Sequence, residues 1–513
     1  MFSALFGGSS HVNWVLSILN ELAERGHNTT YVTKASDDHM RFGKPYPLIN
    51  TVSIGPQTLN ARETMLKLPD LAMVPMLKIM MGNMASSYEK EYNAYVELFK
   101  KHNVDVAVCD HFCMACVDAA YTMKLPFVMS MAVTIGDDAG APYTNNDIVS
   151  RVDPTTLDES LSTRFYNKFI SPLSLAWTTY PEFKALTKAK ERAGAEPDNG
   201  PPDARWVDSV KLINNAFGLE SPRPLGPLVE FVGPIIPRSY QPLTEDLKQY
   251  LDAHSRVAYI AFGQHASAKA DSLTKILTAL LENIEQGNLD GFLWATVSST
   301  ENFPETVTTS SKKTYVVADM FNNAEPHARM VKWAPQYAVL HHPSTVMFVS
   351  HGGAGSTHES LFAGKRLVIF PFFGDQPGNA WNIERNQLGG RFNKNTPQHE
   401  MTQVIRKVAL DEDGQIQSNV QRYKALVQIR SRNGILRGAD AVEEVAFLQQ
   451  NGKVPHRYEV AREMSYIKAH NIDLYAVLFL ILAIPLVALY RIITIIVSKA
   501  IQNIHQQKKL KSL

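Results

Sequence analysis

Apolar positions along the chain fall into short runs followed by helical repeats. Met1–Phe6, "MFSALF", is an apolar run bounded by Gly7 and Gly8, the pattern of a parallel strand buried on both faces. Val12, Val15, Leu16, Leu19, Leu22 and Ala23 then recur at helical spacing, and Arg25-Gly26 supplies a basic last turn and a stop. "NTTYVT" reads as the next strand. Such β-turn-α-β units bind ligands beyond the carboxyl ends of their strands, and His11 stands at that edge. The glycines of "GGSSHVNW" are out of register with G-x-G-x-x-G, so the stretch is no dinucleotide fingerprint. A solvated histidine at a helix start and a catalytic base both remain open.

The alternation continues through "VDVAVCD", "PFVMSMA" and "VKLINNA", with helices between them. It then stops at "LESPRPLGPLVEFVGPIIPRSYQPL", whose prolines and glycines read as an interdomain connector. It restarts with "VAYIAFG", the helix "ADSLTKILTALLENIEQ", then "GFLWAT", "TYVVADM", "TVMFVSHGG" and "RLVIFPFF". The pattern predicts an α/β protein with two parallel sheets covered by helices. No internal repeat or low-complexity tract interrupts it. The expected organisation is a first domain at 1–236, a second at 237–440, a helical return segment at 441–473, a transmembrane helix at 474–498 and a basic tail at 499–513. For the span, Leu474–Tyr490, "LYAVLFLILAIPLVALY", carries no charge, and after Arg491 the run resumes through "IITIIV". About 20 apolar residues suffice to cross a bilayer. Arg491 can snorkel, and Pro485 is tolerable in a membrane helix.

Length and charge narrow the class. At 513 residues the chain exceeds a single core, and a formal charge of +1 argues against nucleic acid as the main partner. The three cysteines, Cys109, Cys113 and Cys116, lie in one short stretch and are not read as a disulfide framework. "CMAC" has redox spacing, but its surroundings read as small-residue helix packing. Met65, Met73, Met76, Met80, Met81 and Met84 cluster between Leu59 and Leu98, consistent with helical core packing or with an adaptable apolar acceptor pocket.

"WAPQYAVLHHPSTVMFVSHGGAGSTHESLFAGKRLVIFPFFGDQPGNAWN" carries the most chemistry. It offers an aromatic plate at Trp333, then a strand running into "SHGGAGS" and a helix. A glycine-rich turn at a helix N-terminus favours phosphate through unpaired N–H groups and the dipole. Glu359, one turn in, can accept from ribose hydroxyls. The strand "RLVIFPFF" ends in Gly374-Asp375-Gln376, an acid–amide pair suited to a polyhydroxyl ligand. Together these groups describe a nucleotide-sugar site.

This segment resembles the signature box of the UDP-dependent family-1 glycosyltransferases, which include the animal UDP-glucuronosyltransferases and the plant glucosyltransferases. Trp333 to Gln376 reproduces its spacing, with "W-A-P-Q", Leu340, His342-Pro343, Phe348, "S-H-G-G", Ser356, Glu359, Gly364, Pro371 and "D-Q". The resemblance extends over almost the whole chain. It implies a GT-B fold: two facing Rossmann-like domains, acceptor on the first and UDP-sugar on the second. It implies Trp333 and Gln336 on the uracil and ribose; His351, Gly353 and Ser356 on the diphosphate; Glu359 on the ribose; and Asp375 and Gln376 on sugar hydroxyls. It also implies His11 as general base with Asp110 as its partner, in an inverting transfer of a hexose, glucose in first place, to a hydroxyl of a small lipophilic acceptor. UDP-glucuronate as donor and a catalytically silent nucleotide-sugar or lipid-binding membrane protein are the alternatives. Three departures stand out. Gly355 replaces a frequent Asn, Gly263-Gln264 replaces the usual Gly-Ser, and "GGSSHVNW" replaces G-H-x-x-P.

No His/Asp/Glu cluster shows metal-ligand spacing, so no metal or cofactor is expected, with UDP-sugar as a co-substrate. The expected partners are donor, acceptor and a membrane; homo-oligomer formation stays open. Lys499, Lys508, Lys509 and Lys511 follow the span without an acid, which places the tail in the cytosol. "KLKSL" resembles a retrieval signal of the endoplasmic reticulum. Lumenal catalytic domains follow, and Asn28-Thr29-Thr30 is a sequon. No signal-peptide pattern precedes the first strand, so an additional N-terminal signal is expected, a tail anchor being the other arrangement.

Overall fold

The first half builds a sheet of seven strands: β1 (Phe2–Ser3), β2 (Thr30–Ala35), β3 (Asn50–Pro56), β4 (Ala107–Asp110), β5 (Phe127–Met131), β6 (Val210–Ile213) and β7 (Val229–Phe231). The structure is a computed structural model describing all residues except 6–7, 36–39, 57–72, 135–140, 145–151, 198–204, 237–239, 265–267, 298–299 and 511–513. All pairings are parallel, in the order β3-β2-β1-β4-β5-β6-β7. The order reverses between β1 and β4, which opens a crevice at the carboxyl ends of those two strands. "MFSALF" contributes only two ladder residues, although Ala4 and Leu5 are also fully buried. β3 carries no strand signal in the sequence, because its pattern is half-exposed and lacks an apolar run. β7 lies inside the expected connector, where "VEF" adds a short strand beside β6.

Helix α1 (Ser9–Glu24) follows β1 and buries Val12, Trp14, Val15, Leu16, Ile18, Leu19 and Leu22. Gly26, at φ +98°, ends the run as the sequence suggests. α2 (Met73–Lys101) carries the described part of the methionine cluster; Met65 lies outside the described residues. Met76 is buried, while Met73, Met80, Met81 and Met84 are half-buried. Tyr88, Tyr92, Tyr95 and Phe99, further along α2, supply its core contacts. α3 (Met114–Thr122) follows β4, and α4 (Ser171–Ala193) continues a helical segment that starts at residue 161.

The second half repeats the scheme with β8 (Val257–Ala261), β9 (Gly291–Ala295), β12 (Ala328–Val331), β13 (Thr345–Ser350), β14 (Arg366–Ile369) and β15 (Gly389–Arg391). This parallel sheet has the order β12-β9-β8-β13-β14-β15, again reversing beside its first strand. "TYVVADM" departs from expectation. Only Thr314–Val316 is strand; it pairs antiparallel with Thr306–Thr308 as a separate hairpin (β11 and β10), and Val317–Phe321 is helical. Its alternating burial leaves one face wet, unsuited to the interior of a covered sheet. The short helix α5 (Gln336–His341) precedes β13, α6 (Ala354–Ala363) follows it, and α7 (Gln376–Arg385) follows β14. Trp294, Tyr259, Phe292 and Phe348 fill this core.

α8 (Gly434–Leu448) then returns to the first half and spans the expected 440/441 boundary. Arg25, the C-cap of α1, donates to Asp440 at 2.8 Å and Glu443 at 2.6 Å, and Gly438 admits Ile18 where a Cβ would clash at 2.3 Å. Residues Met1–Pro455 form one unit and His456–Leu513 a second. The second contains α9 (Ile472–Leu510), a helix with Pro485 inside it, whose stretch Ile472–Lys508 is long and apolar enough to cross a membrane. "KLKSL" ends in residues outside those described.

Candidate active site

Both topological reversals carry the residues singled out from the sequence. On the first sheet, β1 leads through Gly8, the N-cap of α1, and His11 sits in the first helical turn, donating its backbone N–H to Gly8 O at 3.0 Å. Asp110 is the last residue of β4, the neighbouring strand across the reversal. His11 Nδ1 and Asp110 Oδ2 are 2.9 Å apart. A carboxylate only accepts, so Nδ1 bears the proton and Nε2 keeps its lone pair. Asp110 is 1 % exposed, and its other oxygen accepts from Phe112 N at 3.0 Å.

The electrostatics suit a base. Burial pulls the His11 pKa down, but the charge and hydrogen bond of Asp110, with the charge of Asp375, outweigh it and the net shift is upward. Burial pushes Asp110 up, while His11, His111 and the Phe112 N–H bring it below the usual carboxylate value. His111, next in the chain, carries no motif signal of its own. Its ring stacks 5.3 Å from that of His11, and burial holds its own pKa down. The side chains of His11, Asp110 and His111 bring one ligand atom each within 4.8 Å of one another, a trio that linear spacing did not reveal because its members come from two strand ends.

The turn after β4 corrects the cysteine reading. Cys109 and Cys116 form a disulfide that brackets Asp110, and Cys113 is the free thiol, so the pairing is not the C-x-x-C pair. Cys113 caps α3 and its sulfur accepts the Leu5 N–H at 3.2 Å, which turns it away from Cys116.

On the second sheet, β13 ends at Ser350, and His351-Gly352-Gly353 leads into α6. The His351 ring is gripped by two glycines. A Cβ on Gly353 would meet its Nε2 at 2.5 Å, and one on Gly263, at φ +75° after β8, would meet its Cε1 at 3.0 Å. This explains glycine at 263 whatever follows it; Gln264 is exposed. A Cβ on Gly355 would lie 3.6 Å from Ser10 Cβ, an ordinary contact distance, so the N-termini of α1 and α6 meet across the cleft at this point.

Gln336 opens α5 and donates from Nε2 to Glu359 Oε2 at 2.8 Å and Ser356 Oγ at 3.2 Å, joining three expected ligand residues. Burial raises Glu359 to about 7, against the lowering effect of Gln336. Trp333 stands apart with 54 % of its surface exposed, free to offer a face to a base. Asp375 Oδ2 accepts from Ala354 N at 3.1 Å and Asn379 Nδ2 at 2.9 Å; burial raises its pKa, with Ala354 N–H, His11 and Asn379 opposing. Gln376 differs from expectation. It is 5 % exposed and its Oε1 accepts from Phe372 N at 2.8 Å and Phe373 N at 3.1 Å, so its carbonyl closes the β14–α7 loop.

Two doubly wound halves, with a His–Asp pair at one reversal and a glycine-gripped histidine before a helix N-terminus at the other, define a GT-B glycosyltransferase. The family profile described as UDP-glucoronosyl and UDP-glucosyl transferase matches residues 197–509, and the chain belongs to that family of UDP-glycosyltransferases. A UDP-glycosyltransferase of Talaromyces amestolkiae is 26% identical over 511 residues, covering 92% of each chain. UDP-glucuronosyltransferase 3A1 of Mus musculus is 26% identical over 271 residues, 52% of this chain and 46% of that one. Among solved structures, the glycotransferase of kitacinnamycin superposes with a TM-score of 0.63 at 16% identity, covering 86% of this chain and 98% of that one.

Proposed function

We propose that the chain transfers glucose from UDP-glucose to a hydroxyl of a small lipophilic acceptor, with inversion. The observation that carries this reading is the 2.9 Å pairing of His11 Nδ1 with Asp110, which frees Nε2 to take a proton at the cleft. Nε2 removes the acceptor's hydroxyl proton as its oxygen bonds to the anomeric carbon. The bond from that carbon to the β-phosphate oxygen breaks, and its electron pair leaves with UDP. Asp110 stabilises the imidazolium that results. The backbone at Gly353 and the N-terminus of α6 receive the diphosphate charge, so this reading routes no step through a metal. Trp333 stacks on uracil. Gln336 and Glu359 hold the ribose, and His351, Gly353 and Ser356 the diphosphate. Asp375 holds sugar hydroxyls, while Gln376 shapes their loop and has only its amide nitrogen left to reach them.

Asp375 and Gln376 belong to the box shared by the glucose-using and glucuronate-using members, so the choice of a neutral hexose rests on the donor comparison below. The half-buried methionines of α2 support an apolar acceptor. α9 anchors the chain in a membrane in this proposal. The lysines beyond it favour a cytosolic tail and a catalytic unit in the lumen of the endoplasmic reticulum. The test is UDP release by the full chain with lipophilic alcohols, UDP-glucose against UDP-glucuronate. Turnover with UDP-glucose that disappears in His11→Ala supports the reading, whereas turnover with UDP-glucuronate alone overturns the sugar assignment. Protease added to sealed microsomes tests topology: digestion of the catalytic unit without detergent contradicts the lumenal placement.

A further inference from the structure

The helical segment 161–193 is built inside out. Where it packs on the body of its half, it uses Ser171, Thr179, Leu186, Ala189 and Lys190, mostly small or polar side chains. Its large apolar side chains face away. Leu161, Phe165, Phe169, Leu173 and Trp177 follow one another at intervals of four residues, and Trp177 is 86% exposed. Tyr166, Ile170 and Tyr180 widen the stripe and are also exposed. Side chains four apart share a helix face, so these residues make one continuous apolar strip. A strip of that size on a soluble surface marks an interaction site.

Charge indicates what covers it. From residue 161 to residue 181 there is no Asp or Glu, while Arg164 and Lys168 are present and exposed. Aromatic rings with an apolar body and a polar tip, beside long basic side chains, suit the boundary between headgroups and acyl chains. A second copy of the chain suits it less. A two-fold pairing sets the same patch against itself, which would bring the cations of both copies together with no carboxylate from this stretch to neutralise them. We propose that residues 161–180 form a second membrane contact, separate from the C-terminal helix, in which the aromatic strip lies in the interface of an anionic bilayer and Arg164 and Lys168 meet its headgroups. The contact belongs to the acceptor-binding half, so a lipophilic acceptor dissolved in that bilayer is concentrated beside the unit that consumes it.

Trp177 provides the readout. None of the six tryptophans lies in residues 456–513, so the C-terminal helix adds no tryptophan signal of its own. The full chain is reconstituted into phosphatidylcholine–phosphatidylserine vesicles with brominated acyl chains, and the Trp177 emission is taken as wild type minus Trp177→Phe. The expected result is loss of most of that emission to the bromines, with the loss much reduced in Arg164→Glu/Lys168→Glu. Emission that is quenched by aqueous acrylamide and blind to bromine overturns the proposal. So does emission shielded from both quenchers in particles of twice the protomer mass, the mark of a second copy. The measurement needs no turnover, so a wrong sugar or acceptor assignment leaves it intact.

Discussion

Glu359 offers the sharpest test of the donor site, because its fold position sets its titration near neutrality. Burial lifts it from 4.5 to about 7. A ribose hydroxyl donates best to the ionised carboxylate, and Gln336 already donates to one oxygen, so protonation removes acceptor capacity where the ligand needs it. If only the ionised form binds, affinity for UDP-glucose should fall about tenfold between about pH 8 and pH 6, roughly 1.4 kcal/mol. UDP-glucose is the right probe, because its diphosphate diester does not titrate in this interval. Isothermal calorimetry without acceptor gives the dissociation constant at each pH. Glu359→Gln should bind more weakly at pH 8 and show a flat profile. A flat wild-type profile, or the same slope in Glu359→Gln, would refute the argument. The sign for folding runs the other way. The raised pKa contributes stability below about 4.5 that is lost as pH rises through about 7, so Glu359→Gln should gain stability at alkaline pH.

His11→Ala should lower turnover about 10²–10⁴-fold while leaving UDP affinity near wild type, since the base belongs to the other half. Asp110→Asn removes what holds the imidazole pKa up, so the acid limb of the rate profile should move to lower pH as its plateau falls; an unmoved limb would count against the pairing. Gly263→Ala forces an alanine to φ +75° with its Cβ 3.0 Å from the His351 ring, so denaturant melts should show a loss of about 1–2 kcal/mol of stability, and calorimetry a weaker binding of UDP-glucose as the ring is displaced. Cys116→Ser opens the loop that brackets Asp110 and should cost about 2–3 kcal/mol of stability in thermal or denaturant melts, with turnover falling more than donor affinity.

Most strands of both sheets were legible because a buried parallel strand leaves an unbroken apolar run, as "VAYIA" and "RLVI" do. Strands that escaped lack such a run. β3 is half-exposed, β12 alternates buried with half-buried positions, β15 is "GGR", and β7 hides between prolines, so each is defined by the neighbour it pairs with. The donor residues could be read because they crowd between Trp333 and Gln376. The acceptor pair was harder, since His11 and Asp110 are 99 residues apart and meet only where strand order reverses. The Cys109–Cys116 disulfide was hidden for a related reason: the stretch reads as small-residue helix packing, and only the fold brings the end of β4 against α3 while Cys113, at the cap, meets Leu5. The four-residue rhythm from Leu161 to Trp177 was also present in the sequence, but rhythm alone does not say which side of a helix meets the body.

The chain leaves its first half after β7 and comes back at α8, and these two places touch. Gly434 lies so close to Val232 that a Cβ would stand 2.5 Å from its carbonyl oxygen, Arg437 donates to that oxygen at 2.9 Å, and Arg430 donates to Phe231 O at 2.6 Å. Topologically the donor half is a guest spliced into a host, with both of its ends at one seam. A guest of this kind can be exchanged without breaking a host strand. Residues 233–433 from a relative with a different sugar preference could be grafted at this seam. If Arg430, Gly434 and Arg437 are retained, the graft carries its donor chemistry with it, while His11, Asp110 and the aromatic strip keep their acceptor and their bilayer.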